Sequence, residues 1–118
     1  LKTRDEVLSG SLETPWEQID IPEWDGTFKL RPLTGAQAEE IQLLAEQALS
    51  TGNYLCLRGM RGKVATWVVC DPDEQPFFKP EDAPKLTAKY NAVLTRIWGI
   101  VKVQNGLESK EAEAIEKN

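Results

Sequence analysis

Glu17-Gln18-Ile19-Asp20-Ile21-Pro22-Glu23-Trp24-Asp25-Gly26-Thr27-Phe28-Lys29-Leu30-Arg31 holds two alternating runs around a turn. Ile19 and Ile21 share one face of the first run, and Phe28 and Leu30 share one face of the second. Asp25-Gly26 between them is a hairpin signal. Pro22 and Pro32 lack an amide donor, which suits strand ends or edges. A lone hairpin is marginal in water, so its apolar face must lie on helices or on another chain. Helix chemistry follows at once. Thr34-Gly35-Ala36-Gln37 fits a capping box, in which Thr34 accepts from the amide of Gln37 and Gln37 reaches back to the amide of Thr34. Ala38, Ile41, Leu44, Ala45, Ala48 and Leu49 then form an apolar stripe at helical period, and Gly52 supplies a left-handed stop.

Outward from this pair of elements the signals are mixed. Leu57, Met60, Val64, Trp67 and Val68 fall on one helical face, but Gly59 and Gly62 each cost about 1 kcal/mol relative to Ala in a helix. The run over 64–70 is β-branched enough for a buried strand; helix over 54–70, bent near the glycines, is the preferred reading. Asp71-Pro72-Asp73-Glu74-Gln75-Pro76 reads as a turn, and Phe77 and Phe78 as an anchor after it. Pro80, Glu81 and Asp82 open a short helix over about 80–86. Thr87 is placed to cap a long helix over 88–104, with the stripe Tyr90, Val93, Leu94, Ile97, Trp98 and Val101. Ile100 and Val103 widen its apolar arc, which implies burial on two sides, in a core and in a subunit contact. Asn105-Gly106 ends it. Ser109 is read as the cap of an acidic helix or tail within 107–118, with Ile115 its main apolar residue. Residues 1–15 read as a flexible arm whose Val7, Leu8 and Leu12 are free to dock on a partner, since Gly10, Ser11, Thr14 and Pro15 break any helix begun at Thr3. The expected fold is mainly α, of α+β type: an N-terminal β-hairpin, 17–31, packed on a bundle of three to four helices within one domain, 16–106.

Composition narrows the function. The chain has 118 residues, 14 Lys plus Arg, 19 Asp plus Glu, a formal charge of -5 and no histidine. Histidine-based general base catalysis and the Ser-His-Asp and Cys-His arrangements are thereby excluded. Cys56 and Cys70 are too few for a disulfide scaffold or an all-cysteine zinc site; free thiols in a reducing cytoplasm are the default. An acidic balance argues against a broad nucleic-acid surface. The first residues lack the apolar core of a signal peptide, and no run is long enough to span a membrane. No cofactor, metal or catalytic residue is expected, and the chain reads as a protein that works by binding other proteins.

Several patterns have residue types that a site could use. Arg58-Gly59-Met60-Arg61-Gly62-Lys63 fails as a phosphate loop, because its glycines are too close and Val64 stands where a hydroxyl is needed. Arg58, Arg61 and Lys63 then form either a solvated face or a basic patch for an acidic partner. The charge distribution favours some complementarity: residues 1–53 hold four positive and ten negative groups, whereas 54–70 hold three positive and none negative. Such a field steers association more than it sets affinity. The Asp71, Asp73 and Glu74 cluster lacks the central Gly of a calcium loop. Nothing picks a catalytic carboxylate pair out of 19 acids. Of the four tryptophans, Trp67 and Trp98 sit on apolar helix faces and read as core, while Trp16 and Trp24 either pack on the helices or stand as partner anchors. The candidate interface residues are Trp16, Trp24, Phe28, Arg58, Arg61, Lys63, Trp98, Ile100 and Val103.

The order of features is that of a known family. An opening Leu1-Lys2-Thr3-Arg4-Asp5 leads to the hairpin, then to Leu33-Thr34-Gly35-Ala36, a valine-rich segment, Asp71-Pro72-Asp73 and Phe78, and finally Asn105-Gly106-Leu107 and a closing Glu116-Lys117-Asn118. This set, spread over nearly the whole chain, resembles the tail assembly chaperones of long-tailed, lambda-like bacteriophages and prophages. The family's turn usually carries Gly after the second Asp, where this chain has Glu74-Gln75, and Pro84 is unusual in the short helix. The resemblance implies a non-enzymatic protein of the host bacterial cytoplasm, absent from the mature virion. It would bind the tape measure protein, keep it soluble and recruit tail tube subunits during tail morphogenesis. It further implies self-association as a homo-oligomer, and a longer version of the chain made by translational frameshifting. Glu116-Lys117-Asn118 can be encoded by GAA AAA AAC, which contains the slippery heptamer A AAA AAC. Neither nucleic acid nor membrane is implied as a partner. A structural head–tail or minor tail virion protein is the alternative, and a small carboxylate enzyme a more distant one.

Overall fold

Ile19 faces Phe28 and Ile21 faces Gly26 across an antiparallel pair, strand β1 (Glu17–Ile21) on strand β2 (Gly26–Leu30). The hairpin is therefore in the register that the alternation predicts, and Ile19, Ile21, Phe28 and Leu30 are all buried. Its turn differs. Pro22–Trp24 form one 3-10 turn, and the left-handed residue is Asp25, at φ 55°, rather than Gly26. Asp tolerates that conformation because its short side chain can bond locally. The structure, a computed structural model, describes residues 1–10, 14–107 and 109–117. Leu12 and Ser11 of the expected arm, and Asn118 of the closing tripeptide, lie outside them.

Helix α1 (Arg4–Ser9) precedes the hairpin, and helix α2 (Gly35–Thr51) follows it. The capping box forms as read: the Gln37 amide donates to Thr34 Oγ1 at 3.1 Å, and the Thr34 amide donates to Gln37 Oε1 at 3.0 Å. Gly52 closes α2 in the left-handed conformation, at φ 72°. Ile41, Ala45 and Ala48 are buried, while Leu43, outside the stripe, is exposed.

The expectation of one helix over 54–70 is corrected. Leu55–Leu57 make a 3-10 turn, helix α3 spans Met60–Val68, and the chain passes directly into strand β3 (Val69–Cys70). Gly59, at φ 76°, is the left-handed pivot that lets α3 start in a new direction. β3 joins the other edge of β2, pairing Leu30 with Val69, so the sheet order is β1-β2-β3 and all pairs are antiparallel. The Asp71 carboxylate accepts from the amides of Asp73 and Gln75, the side-chain turn chemistry expected of Asp-Pro-Asp. Glu74 sits at φ 66°, so a non-glycine residue holds the left-handed position where the resembled family has Gly. Lys29 Nζ meets Glu74 Oε2 at 3.1 Å, tying this turn to β2.

Two further boundaries are corrected. The short helix is a 3-10 turn at Pro80–Asp82 that becomes helix α4 (Ala83–Lys89), with Pro84 in its first turn, where its missing amide costs nothing. Helix α5 spans Asn91–Gln104 with Tyr90 as its cap, so Thr87 caps nothing and lies inside α4. Helix α6 (Ser109–Glu116) starts at Ser109 itself. It buries Ala112, Ala114 and Ile115. α5 runs through the middle of the core, burying Val93, Leu94, Ile97, Trp98 and Val101. Its C-terminal end clamps the hairpin. Gln104 Nε2 donates to the Leu30 and Pro15 carbonyls, and Asn105 Oδ1 accepts from the Leu33 amide.

Candidate functional site

Gly62 of α3 marks a close approach of α3 to α4. A Cβ there would stand 2.2 Å from Thr87 Oγ1 and 2.9 Å from the Ala83 carbonyl oxygen. Only a bare backbone lets α4 lie so close on α3. Beside this contact lies a groove of about 730 Å³, lined on the α3 side by Arg58, Gly59, Lys63, Thr66 and Trp67. The opposite wall is Pro80, Ala83, Pro84, Thr87 and Ala88. None of the ten lining residues carries a carboxylate.

The three cations of the basic stretch are placed differently. Lys63 Nζ lies 3.3 Å from Glu40 Oε2 and 5.5 Å from the centre of the Trp67 ring. Arg61 turns away from the groove and donates to Thr95 Oγ1 at 2.7 Å and Asn91 Oδ1 at 3.0 Å. Arg58 is exposed and makes no ion pair among the described residues. Arg58 and Lys63 share the groove, and Arg61 serves the α3–α5 contact instead.

The hydrophobic candidates divide the same way. Phe28 and Trp98 are 5% and 1% exposed and belong to the chain's own core. That revises their place among surface candidates. Trp98 Nε1 donates to the Ala112 carbonyl at 3.3 Å, which ties α5 to α6. Trp67, read as core, is only half-buried, because the groove opens beside it. Trp16 is also half-buried. Trp24 packs edge-on against Phe28, Phe78 and Tyr90, with ring centres 5.3 to 5.7 Å apart. Phe77 also meets Phe28 and Phe78 edge-on and stays 51% exposed. Ile100 is half-buried against the core and Val103 is 77% exposed.

Beside the aromatic cluster, Arg96 Nη2 reaches Glu23 Oε2 at 2.5 Å. That hydrogen bond holds the Glu23 carboxyl below its usual range. Whatever this pair adds to stability is present above the unfolded carboxylate pKa and fades as pH falls through the lowered one. Burial pushes the Cys70 thiol up, away from the reactive thiolate. Cys56 Sγ donates to the Leu44 carbonyl, and both thiols are free. Among the described residues, no group of acids and cysteines is arranged to hold a metal ion, and no helix is long and apolar enough to cross a membrane.

The residues missed from the sequence are those of the α4 wall. They are small and carry no apolar stripe; the one available signal was Gly62, whose cost in a helix hid its use as a contact.

No protein-family profile matches the chain, and no curated protein matches it. Among solved structures, the tail assembly chaperone of bacteriophage HK97 superposes on 90% of this chain and 92% of its own, with a TM-score of 0.54 and 20% identity. The chain has the fold of that chaperone. At about nine-tenths of both chains, the likeness is one of overall architecture and not merely of one supersecondary unit.

Proposed function

We propose that the chain is a tail assembly chaperone of a long-tailed bacteriophage or prophage. The observation that carries this reading is the likeness to the HK97 chaperone over nine-tenths of the chain. The ordered sequence features described above, from the hairpin to Asn105-Gly106-Leu107, support it from a separate direction. In this role the protein binds the tape measure protein, masks its apolar helical segments and keeps them soluble until tail tube subunits arrive. It acts in the host cytoplasm by multivalent, non-catalytic binding, self-associates, leaves before the virion is complete, and has a frameshifted longer form. The surfaces available for such contacts are the groove with Arg58, Lys63 and Trp67, the exposed side of the aromatic cluster, and Ile100 with Val103.

The test is coexpression with fragments of the tape measure protein of the same phage or prophage. Soluble, co-purifying fragments are expected. Fragments that stay insoluble, with no complex on pull-down, remove the reading. Protein analysis of mature particles separates a chaperone, which is missing from them, from a structural virion protein, which is present.

A further inference from the structure

We propose that the groove between α3 and α4 is a docking site for an amphipathic helix of a partner protein, one whose apolar stripe is flanked by carboxylates. The inference rests on the proposed client-binding role for its biological meaning, and on the groove itself for its chemistry.

Shape comes first. On the α4 side Pro80, Ala83, Pro84, Thr87 and Ala88 recur at one-turn intervals. They line a wall about 12 Å long, or two helical turns. No side chain on it is larger than proline or threonine, so a third helix can approach almost to the α4 backbone. The small-residue contact at Gly62 already shows how closely helices pack here. On the other side the half-buried Trp67 offers a broad, rigid apolar surface, the residue type most enriched at binding hot spots. The volume of 730 Å³ accepts the apolar side chains of two turns, read as anchors at i, i+3 or i+4, and i+7.

Charge selects the partner. The chain carries -5 overall, yet this groove is rimmed by Arg58 and Lys63 and has no carboxylate in its lining. Arg58 has no ion-pair partner among the described residues. Its guanidinium is free to take a carboxylate bidentately. Lys63 is held over Trp67 and shares its charge with the exposed Glu40, a pairing that solvent screens and a partner's carboxylate can replace. A helix with basic flanks would meet two like charges at the same rim.

The experiment uses the full chain and two labelled synthetic peptides of about four helical turns. Both carry leucine at i, i+3 or i+4, and i+7; one is flanked by glutamate, the other by lysine. Fluorescence anisotropy is expected to show the glutamate peptide binding about tenfold or more tightly than the lysine peptide. Arg58→Glu, at an exposed position, is expected to remove or reverse that preference. Trp67→Ala is expected to weaken the glutamate peptide by about tenfold or more, and Phe77→Ser, in the aromatic cluster, to leave it unchanged. Absence of binding, equal binding of the two peptides, or loss with Phe77→Ser but not with Trp67→Ala overturns the proposal. So does a drop in oligomer mass of the unliganded protein with Arg58→Glu, measured by sedimentation, because the groove's occupant is then a second copy. If the glutamate peptide binds as expected and the tape measure fragments do not, the chaperone reading falls and the groove stands.

Discussion

Helices α1 and α6 close the two ends of the chain, and they are held in opposite ways. α1 has six residues and good local chemistry: Thr3 accepts from the Glu6 amide at 3.2 Å and donates back to the Glu6 carboxylate, and Asp5 and Glu6 face the positive end of the dipole. It buries nothing, and Val7 and Leu8 are 62% and 68% exposed. α6 has eight residues and buries three of them under α2, α3 and α5. Lys102 pairs with Glu116, and the Trp98 indole holds the Ala112 carbonyl. From sequence the first end reads as a flexible arm and the last as an acidic helix or tail outside the domain. Capping shapes a helix, and burial fixes where it sits; only α6 has the second.

The difference should be measurable. Ile115→Ala empties a fully buried site under α6 and is expected to cost about 2–5 kcal/mol in urea unfolding. A cost under about 0.5 kcal/mol, the range of a surface change, would make α6 as dispensable as α1. Trp98→Phe keeps one six-membered aromatic ring but loses the pyrrole half of the indole with its N–H, for an expected loss of about 1–2 kcal/mol from the hydrogen bond and a small void. Lys102→Met is expected to cost less than about 1 kcal/mol, and the effect should shrink in high salt because the pair is partly solvated. Removing residues 1–10 is expected to change unfolding free energy by less than about 0.5 kcal/mol. A larger loss would mean that α1 docks on the body in solution and would dissolve the contrast.

What the sequence reveals follows the same division between local and distant causes. The hairpin register, the capping box at Thr34 and Gln37, and the Gly52 stop are set by residues within a few positions of each other. The α3–α4 pair is not. Gly62 reads as a weak point in a helix until α4 is laid on it. Thr87 has the right residue type for a cap, but its hydroxyl faces Gly62 across the contact. Val69 and Cys70 become strand because β2, about forty residues earlier, offers an open edge; the β-branched run over 64–70 permits a strand there but does not fix where the helix gives way. For the candidate site, the basic residues Arg58 and Lys63 were visible as a charge run, while the wall opposite them was silent. Trp98 is core, as its place on the α5 stripe indicates, and Phe28 lies on the buried face of the hairpin, so neither serves as the surface anchor that aromatic residue type alone suggests.

The passage from α3 into β3 has a mechanical consequence. Val68 ends the helix and Val69 begins the strand, with no loop between them. The Val68 carbonyl is taken by the Arg31 amide at 2.9 Å, and the Val69 carbonyl by the Phe77 amide at 3.1 Å. There is no slack here to absorb a displacement. A push on Trp67, one residue upstream, is delivered to the sheet rather than lost in a hinge. Occupancy of the groove should therefore register in the sheet, as altered amide exchange at Arg31 and Phe77.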